Sequence, residues 1–167
     1  SVGRSVRPSV RLARPSVRGQ ALWWPLCSSK QQGRHDRAVA QYLSGRRVLD
    51  VCCYTGGFGL VAAKQGASEV LGIDSSQPAL EAAKSAAERN SLDSITFSKG
   101  DCFDTLKKLA EEGQKYDAVI LDPPRFAGSR HQIDSALRAY GRLNSLALDL
   151  LPSGGVLVTC SCSGRVS

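Results

Sequence analysis

From residue 36 onward, short apolar runs and longer amphipathic stretches succeed one another, and this order predicts an open parallel α/β sheet. The run Val48-Leu49-Asp50-Val51-Cys52-Cys53 is apolar enough for a strand buried on both faces. A helix is expected before it, over residues 36–43. Four more strands are predicted at 69–74, 94–98, 118–121 and 156–160, and helical patterns fill the gaps between them. The first of these helices opens in a glycine-rich turn at 54–59 and runs to about residue 64. The next follows Ser76 as N-cap and Pro78 in its first turn, and it extends to about residue 89 with Leu80, Ala83 and Ala87 on one face. A third, over about 102–112, brings Leu106, Leu109 and Ala110 together. The last, over about 132–151, turns Ile133, Leu137, Tyr140, Leu143, Ala147 and Leu150 toward the core.

The first 35 residues follow neither period. Arg7-Pro8-Ser9-Val10-Arg11-Leu12-Ala13 is nearly repeated from Arg14, and a proline in each seven-residue period forbids a coiled coil. A flexible basic leader is expected over 1–18, with a transit peptide or a nucleic-acid arm as alternatives, and 19–35 is unassigned. This segment explains the charge of +7: residues 1–37 hold 8 Lys/Arg and one acid, and the remaining 130 residues hold 14 of each. No uncharged apolar run approaches the ~18–20 residues of a membrane span. Six cysteines without a CxxC spacing, in a chain of 167 residues able to bury a core, argue for a reducing, cytoplasmic setting over a secreted disulfide framework. The chain has no methionine, so it is expected to begin inside a longer reading frame or after processing, unless an alternative start codon is used.

The candidate chemistry gathers at the carboxyl ends of the predicted strands, where open parallel sheets bind ligands. Tyr54-Thr55-Gly56-Gly57-Phe58-Gly59 lacks the G-x-G-x-x-G spacing of a dinucleotide site, yet its glycines let the backbone approach a flat ligand. Asp74 ends the second strand, where such folds place the acid that binds ribose hydroxyls. Asp101 follows the third strand. It can accept a hydrogen bond from an adenine amino group, with the backbone beside Cys102 against the ring, or it can simply cap the helix that starts there. Together the three strand ends describe a nucleoside site.

Asp122-Pro123-Pro124-Arg125-Phe126 closes the fourth strand. Two prolines fix φ and remove two donors, leaving Asp122 and nearby carbonyls as rigid acceptors for an amino-bearing planar base. Phe126 can stack on such a base and Arg125 can bind phosphate. After the last strand come Cys160 and Cys162, either of which could serve as a nucleophile; alternation lets only one of them face the cleft. A zinc site from Cys52, Cys53, Cys160 and Cys162 is disfavoured. If the fourth strand separates the two pairs they stand about 9–10 Å apart, so no metal is expected. Cys52, Cys53 and Cys102 read as packing residues, and His35 and His131 have no identifiable partner.

The segments Val48–Phe58, Asp74, Asp122–Phe126 and Ser161-Cys162-Ser163-Gly164 together resemble the catalytic domain of class I S-adenosylmethionine-dependent methyltransferases of the ribosomal RNA large subunit methyltransferase I-like family. The likeness covers residues 36–164. It implies a Rossmann-like, doubly wound parallel sheet that is truncated here after the fifth strand, with a methyltransferase domain over 36–167. By that resemblance Tyr54, Thr55, Gly56, Gly57, Phe58, Asp74, Asp101, Cys102 and Asp122 would surround S-adenosyl-L-methionine. Pro123, Pro124, Arg125 and Phe126 would meet the substrate, and S-C-S-G selects Cys162 as the nucleophile. The implied reaction is methyl transfer to carbon 5 of a cytosine in large-subunit ribosomal RNA. The alternatives are an RNA nitrogen methyltransferase on guanine or adenine and an inactive nucleoside-binding fragment; a nicotinamide dehydrogenase is a weaker third, because the phosphate fingerprint is missing. The family usually carries an RNA-binding domain before the catalytic unit and an antiparallel strand pair after it. Neither is present in this sequence, so the fifth strand is expected to be an exposed edge and the chain to be of low stability or dependent on a partner.

Overall fold

The computed structural model describes residues 11–12, 20–25, 42–124, 126 and 133–161, with the backbone alone for 11–12, 20–25 and 161. Seven strands form one sheet: β1 (Arg11–Leu12), β2 (Gln20–Pro25), β3 (Arg47–Val51), β4 (Glu69–Asp74), β5 (Ile95–Lys99), β6 (Ala118–Leu121) and β7 (Val156–Ser161). Four helices alternate with the later strands: α1 (Gly57–Lys64), α2 (Gln77–Arg89), α3 (Cys102–Glu111) and α4 (Ile133–Asp149). The strand order is β1-β2-β7-β6-β3-β4-β5. From β3 the chain steps outward through β4 to β5, then returns to the other side of β3 with β6 and β7. The order therefore reverses between β3 and β6, and the cleft outside their carboxyl ends is the switch point where such sheets bind ligands.

The pleat decides which residues pack on each face. Val48, Val70, Ile95, Ala118, Ile120, Val156 and Val158 pack with Phe58, Ala62, Ala63 and Ala87 of α1 and α2. Leu49, Val51, Ile73, Val119, Leu121 and Leu157 pack with Leu106 of α3 and Leu143 and Ala147 of α4. Both faces are covered, which is why β3 and β6 are buried in consecutive positions.

Several expectations need correction. Residues 42–45 are turn where a helix was expected over 36–43, and 36–41 lie outside the described residues. The strand predicted over 48–53 ends at Val51, because Cys52 and Tyr54 adopt positive φ (60° and 51°) and turn the chain out of the sheet. On α4, Leu137 is 46% exposed and Ile133 only half-buried, while Ala136 takes the core position beside Tyr140 and Leu143. The buried face of the helix thus runs through Ala136, Tyr140, Leu143 and Ala147. The largest correction concerns the edge. Gln20–Pro25, unassigned from sequence, pairs in parallel with β7 from Gln20↔Val156 to Pro25↔Ser161, and Arg11–Leu12 pairs antiparallel to β2. The fifth strand of the predicted set is thus an interior strand, and its hydrogen-bonding groups are satisfied on both sides.

Candidate active site

A cleft of about 710 Å³ opens at the carboxyl ends of β3, β4, β5 and β6. Its wall contains Tyr54, Thr55, Gly57, Phe58, Asp74, Asp101, Cys102, Asp122, Pro123, Pro124 and Phe126, so eleven of the residues singled out from sequence meet at one place. Ile73, Ser75, Gly100, Phe103, Cys52 and Cys53 complete the lining. Gly56 belongs to the turn without lining the cleft. Arg125 and Cys162 lie outside the described residues, as do His35 and His131.

Backbone geometry builds the first side. Gly56 sits at φ 80°, where a side chain would be strained, and its N–H donates to the carbonyl of Cys53 at 2.7 Å. The next helix begins at once. Gly56 is its N-cap and has no side chain to accept from the first turn. Asp50, in the middle of β3 and 0% exposed, supplies the acceptor: its Oδ2 takes the N–H of Gly59 at 2.8 Å. The carboxylate therefore caps α1 from the neighbouring strand and sits at the positive end of its dipole. A Cβ on Gly59 would stand 3.0 Å from that oxygen, so the close approach requires glycine. Asp50 was not singled out as a site residue. Its signal was an acid inside an otherwise apolar strand, a polar group that has to have a buried partner.

Asp74 ends β4 and holds the same turn from the other side. One oxygen accepts the N–H of Tyr54 and the other that of Ser76, both at 2.8 Å. Ser76 is the N-cap of α2, as expected, but its side chain makes no capping bond. Each carboxylate oxygen of Asp74 keeps further acceptor capacity toward the cleft. Asp101 caps α3, accepting from Phe103 at 2.8 Å and Asp104 at 3.1 Å through one oxygen. The helix-cap reading of Asp101 is thus realised, and its other oxygen is not engaged by those two bonds. Tyr54 stands 67% exposed at the mouth, whereas Phe58 is 5% exposed and belongs mainly to the core.

The β6 side is held by side chains. The N–H of Asp122 donates to the carbonyl of Val51 at 3.2 Å, which extends the β3–β6 ladder to the threshold of the two prolines. Tyr140, buried on α4, donates its hydroxyl to the carbonyl of Pro124 at 3.4 Å. Its ring meets Phe126 edge-on at 4.8 Å, and Phe126 lies 6.3 Å from Phe103. Phe126 is therefore part of an aromatic cluster as well as of the cleft wall.

Cys52, Cys53 and Cys102 line the cleft, and all are free thiols. Interaction with Cys52 lowers the Cys102 thiol below its ordinary value; interaction with Cys102, aided by burial, pushes the Cys52 thiol up. Burial pushes the Cys53 thiol up, with the charges of Asp50 and Asp74 adding to it. Among the described residues no group of three or more His, Cys, Asp or Glu could hold a metal ion, and no helix is long and apolar enough to cross a membrane.

A largely parallel sheet with this reversal point, a glycine turn after its first central strand and an acid at the end of the next defines an open α/β domain with its cleft at the strand ends. A family model described as a methyltransferase domain matches residues 43–166, and the chain belongs to that family. Among curated relatives, the ribosomal RNA large subunit methyltransferase I of Aeromonas hydrophila subsp. hydrophila is 49% identical over 130 residues, covering 77% of this chain and 33% of the relative. The chain thus spans about a third of the length of the curated relatives it matches. Two solved structures share the fold. SMU.776, a candidate methyltransferase complexed with SAH, is 27% identical with a TM-score of 0.67, over 77% of this chain and 35% of that one. The Pyrococcus abyssi tRNA (uracil-54, C5)-methyltransferase in complex with S-adenosyl-L-homocysteine is 28% identical with a TM-score of 0.52, over 76% and 30%. The family resemblance drawn from Val48–Phe58, Asp74, Asp122–Phe126 and S-C-S-G is borne out at this level.

Proposed function

We propose that this chain carries the catalytic domain of a cytoplasmic S-adenosylmethionine-dependent methyltransferase of large-subunit ribosomal RNA, and that its target atom is carbon 5 of a cytosine. The observation that carries the reading is the meeting of the Tyr54–Phe58 turn, Asp74, Asp101 and the Asp122-Pro123-Pro124 segment around one cleft. A volume of about 710 Å³ falls in the range of small-molecule sites, roughly 300–1,000 Å³. The lining also suits the cofactor. Asp74 and Asp101 offer carboxylate oxygens at successive strand ends, suited to ribose hydroxyls and an adenine amino group, and Ile73 and Phe103 give the ring an apolar bed.

When bound, the cofactor supplies an electrophilic methyl group on its sulfonium. Carbon 5 of cytosine is too electron-poor to attack that methyl unaided. In our reading the Cys162 thiolate adds to carbon 6 and makes carbon 5 nucleophilic. Asp122 holds N3 and the amino edge of the base, and the prolines keep that acceptor fixed. Pro123, Pro124, Arg125 and Phe126 bind the substrate, and a base must then take the carbon-5 proton so that the thiolate can leave. The cytosine has to leave its stack to enter the cleft. Two features support this finer target: S-C-S-G begins at Ser161, the last residue of β7, which neighbours β6, and one structural relative is named as a C5 methyltransferase of uracil in tRNA.

The test is calorimetry with S-adenosyl-L-methionine followed by transfer of a tritiated methyl group to ribosomal RNA. Binding and transfer are expected, with Cys162→Ala binding the cofactor and transferring nothing. A Cys162→Ala protein that methylates at full rate would point to nitrogen chemistry, and binding without transfer by the unaltered chain to a nucleoside-binding module.

A further inference from the structure

Tyr54 combines a backbone conformation that suits glycine with a side chain left mostly in solvent. Among the described residues, three that are not glycine adopt positive φ: Cys52 at 60°, Tyr54 at 51° and Ser91 at 52°. Ser91 follows the C-cap of α2, where a left-handed residue commonly ends a helix, and Cys52 packs against the apolar cluster that α3 and α4 cover. Neither account extends to Tyr54. Its N–H is held by Asp74 Oδ2 at 2.8 Å, and its side chain is 67% exposed. Of the large hydrophobic side chains open to solvent among the described residues, Tyr42, Leu137 and Leu148 are not in the cleft wall, whereas Tyr54 is. A bulky side chain in this region strains the backbone, and one so exposed regains little of that by burial.

The place of Tyr54 in the fold says which ligand the ring would meet. It follows β3, which lies between β4 and β6, so the residue stands at the boundary between the two halves of the cleft. On the β4 and β5 side, the adenine of the cofactor reading already has an apolar bed in Ile73 and Phe103. On the β6 side, Phe126 is engaged edge-on by Tyr140 at 4.8 Å. The Tyr54 ring is the aromatic face still open at the mouth. We propose that this ring is the stacking platform for the nucleobase that enters the cleft, while the Tyr54 backbone stays tied to the cofactor side through Asp74; the proposal rests on the RNA methyltransferase reading above. A base that leaves its stack loses the faces of its neighbours, and an aromatic ring returns one of them. The bond to Asp74 fixes the backbone that carries the ring before the base arrives, so less freedom is lost on binding. Tyr54 is thus a positioning residue whose cost to the fold is offset only in the complex with RNA.

The test measures, by fluorescence anisotropy, binding of the full chain to a short single-stranded RNA with a central cytidine and to the same strand made abasic at that position. The unaltered chain should prefer the cytidine strand. Tyr54→Asn keeps the N–H for Asp74 and tolerates a left-handed φ, so it should raise the urea midpoint at unchanged slope. It should also weaken the cytidine strand about tenfold, leave the abasic strand as before and bind S-adenosyl-L-homocysteine as the unaltered chain does. Tyr54→Phe, which retains the ring, should restore the preference for cytidine. A Tyr54→Asn protein that keeps this preference, or that weakens both strands equally, overturns the stacking role. Loss of S-adenosyl-L-homocysteine affinity in step with RNA affinity assigns the ring to the cofactor instead, and a lowered urea midpoint makes it part of the fold; either overturns the proposal. Binding of S-adenosyl-L-homocysteine by the unaltered chain with no preference for cytidine also overturns it, while the cofactor site stands. Failure to bind S-adenosyl-L-homocysteine counts against the methyltransferase reading, and the comparison of the two strands still decides the stacking.

Discussion

The two sides of the cleft are stiffened by different means. The turn after β3 is held by buried or half-buried carboxylates that accept backbone N–H groups: Asp50 from Gly59, and Asp74 from Tyr54 and Ser76. The segment after β6 has its shape set by two prolines and is braced from outside, by the Tyr140 hydroxyl on Pro124 and the Tyr140 ring on Phe126. Charge-assisted hydrogen bonds of the first kind are short and directional, so they hold the backbone in place. Aromatic contacts are broader and depend on α4 staying docked on the sheet. The side proposed to hold the cofactor is therefore preorganised within β3, β4 and their turns, while the side proposed to hold the base depends on a helix that follows it in the chain.

That contrast can be broken most forcefully at Tyr140. Tyr140→Ala removes a buried ring and the hydroxyl together and is expected to cost about 3–5 kcal/mol of stability. Denaturant unfolding measures the loss, and at a temperature where the variant remains folded, methyl transfer should fall much more than cofactor affinity. Asp74→Ala should do the reverse. Losing hydrogen bonds to a charged acceptor costs roughly 1.5–3 kcal/mol, so calorimetry should show S-adenosyl-L-homocysteine bound about 10- to 100-fold more weakly. An Asp74→Ala protein with unchanged affinity would remove the ribose role. Asp50→Ala leaves the Gly59 N–H buried without its acceptor and should lower stability by about 1–3 kcal/mol, read as a shifted urea midpoint at constant slope; Asp50→Asn, which keeps an oxygen there, should lose less. Gly56→Ala forces a side chain to φ 80° and should cost about 1–2 kcal/mol. The mildest change is Tyr140→Phe, which keeps the ring but loses the bond to Pro124. It should cost only about 0.5–1.5 kcal/mol, and it sharpens the comparison if transfer slows severalfold at unchanged cofactor affinity.

The elements with a strong period were legible from the chain alone. Glu69–Asp74, Gln77–Arg89 and Ala118–Leu121 have the expected bounds, because the apolar runs, the proline in the first turn of α2 and the stop imposed by Pro123 and Pro124 all act within a few residues. Errors arose where two periods compete or where neither is present. Leu137 and Ala136 are adjacent on α4, and the way the helix docks in the fold decides which of them is buried. Gln20–Pro25 carries Trp23-Trp24-Pro25 with no alternation, so nothing local marks it as a strand; its pairing with β7 supplies the order. The site was legible as a set of residue types at strand ends. It was not legible as geometry: that Asp101 spends one oxygen on α3, that Asp74 already holds Tyr54, or that Phe126 leans on Tyr140 follows from where distant segments meet.

By itself the sequence determined that the chain alternates strands with helices, that its chemistry lies at strand ends, and that the glycine turn and the Asp122-Pro123-Pro124 stop are the points to examine. Hydrophobic period, backbone freedom and proline's missing N–H are properties of neighbouring residues, and they act before the chain has folded. Tertiary structure alone decided that β2 lies beside β7, that Asp50 caps α1 and that Tyr140 donates to the carbonyl of Pro124. Each of these contacts joins residues that become neighbours only when the sheet is assembled, and a hydrogen bond exists only at the distance that assembly sets.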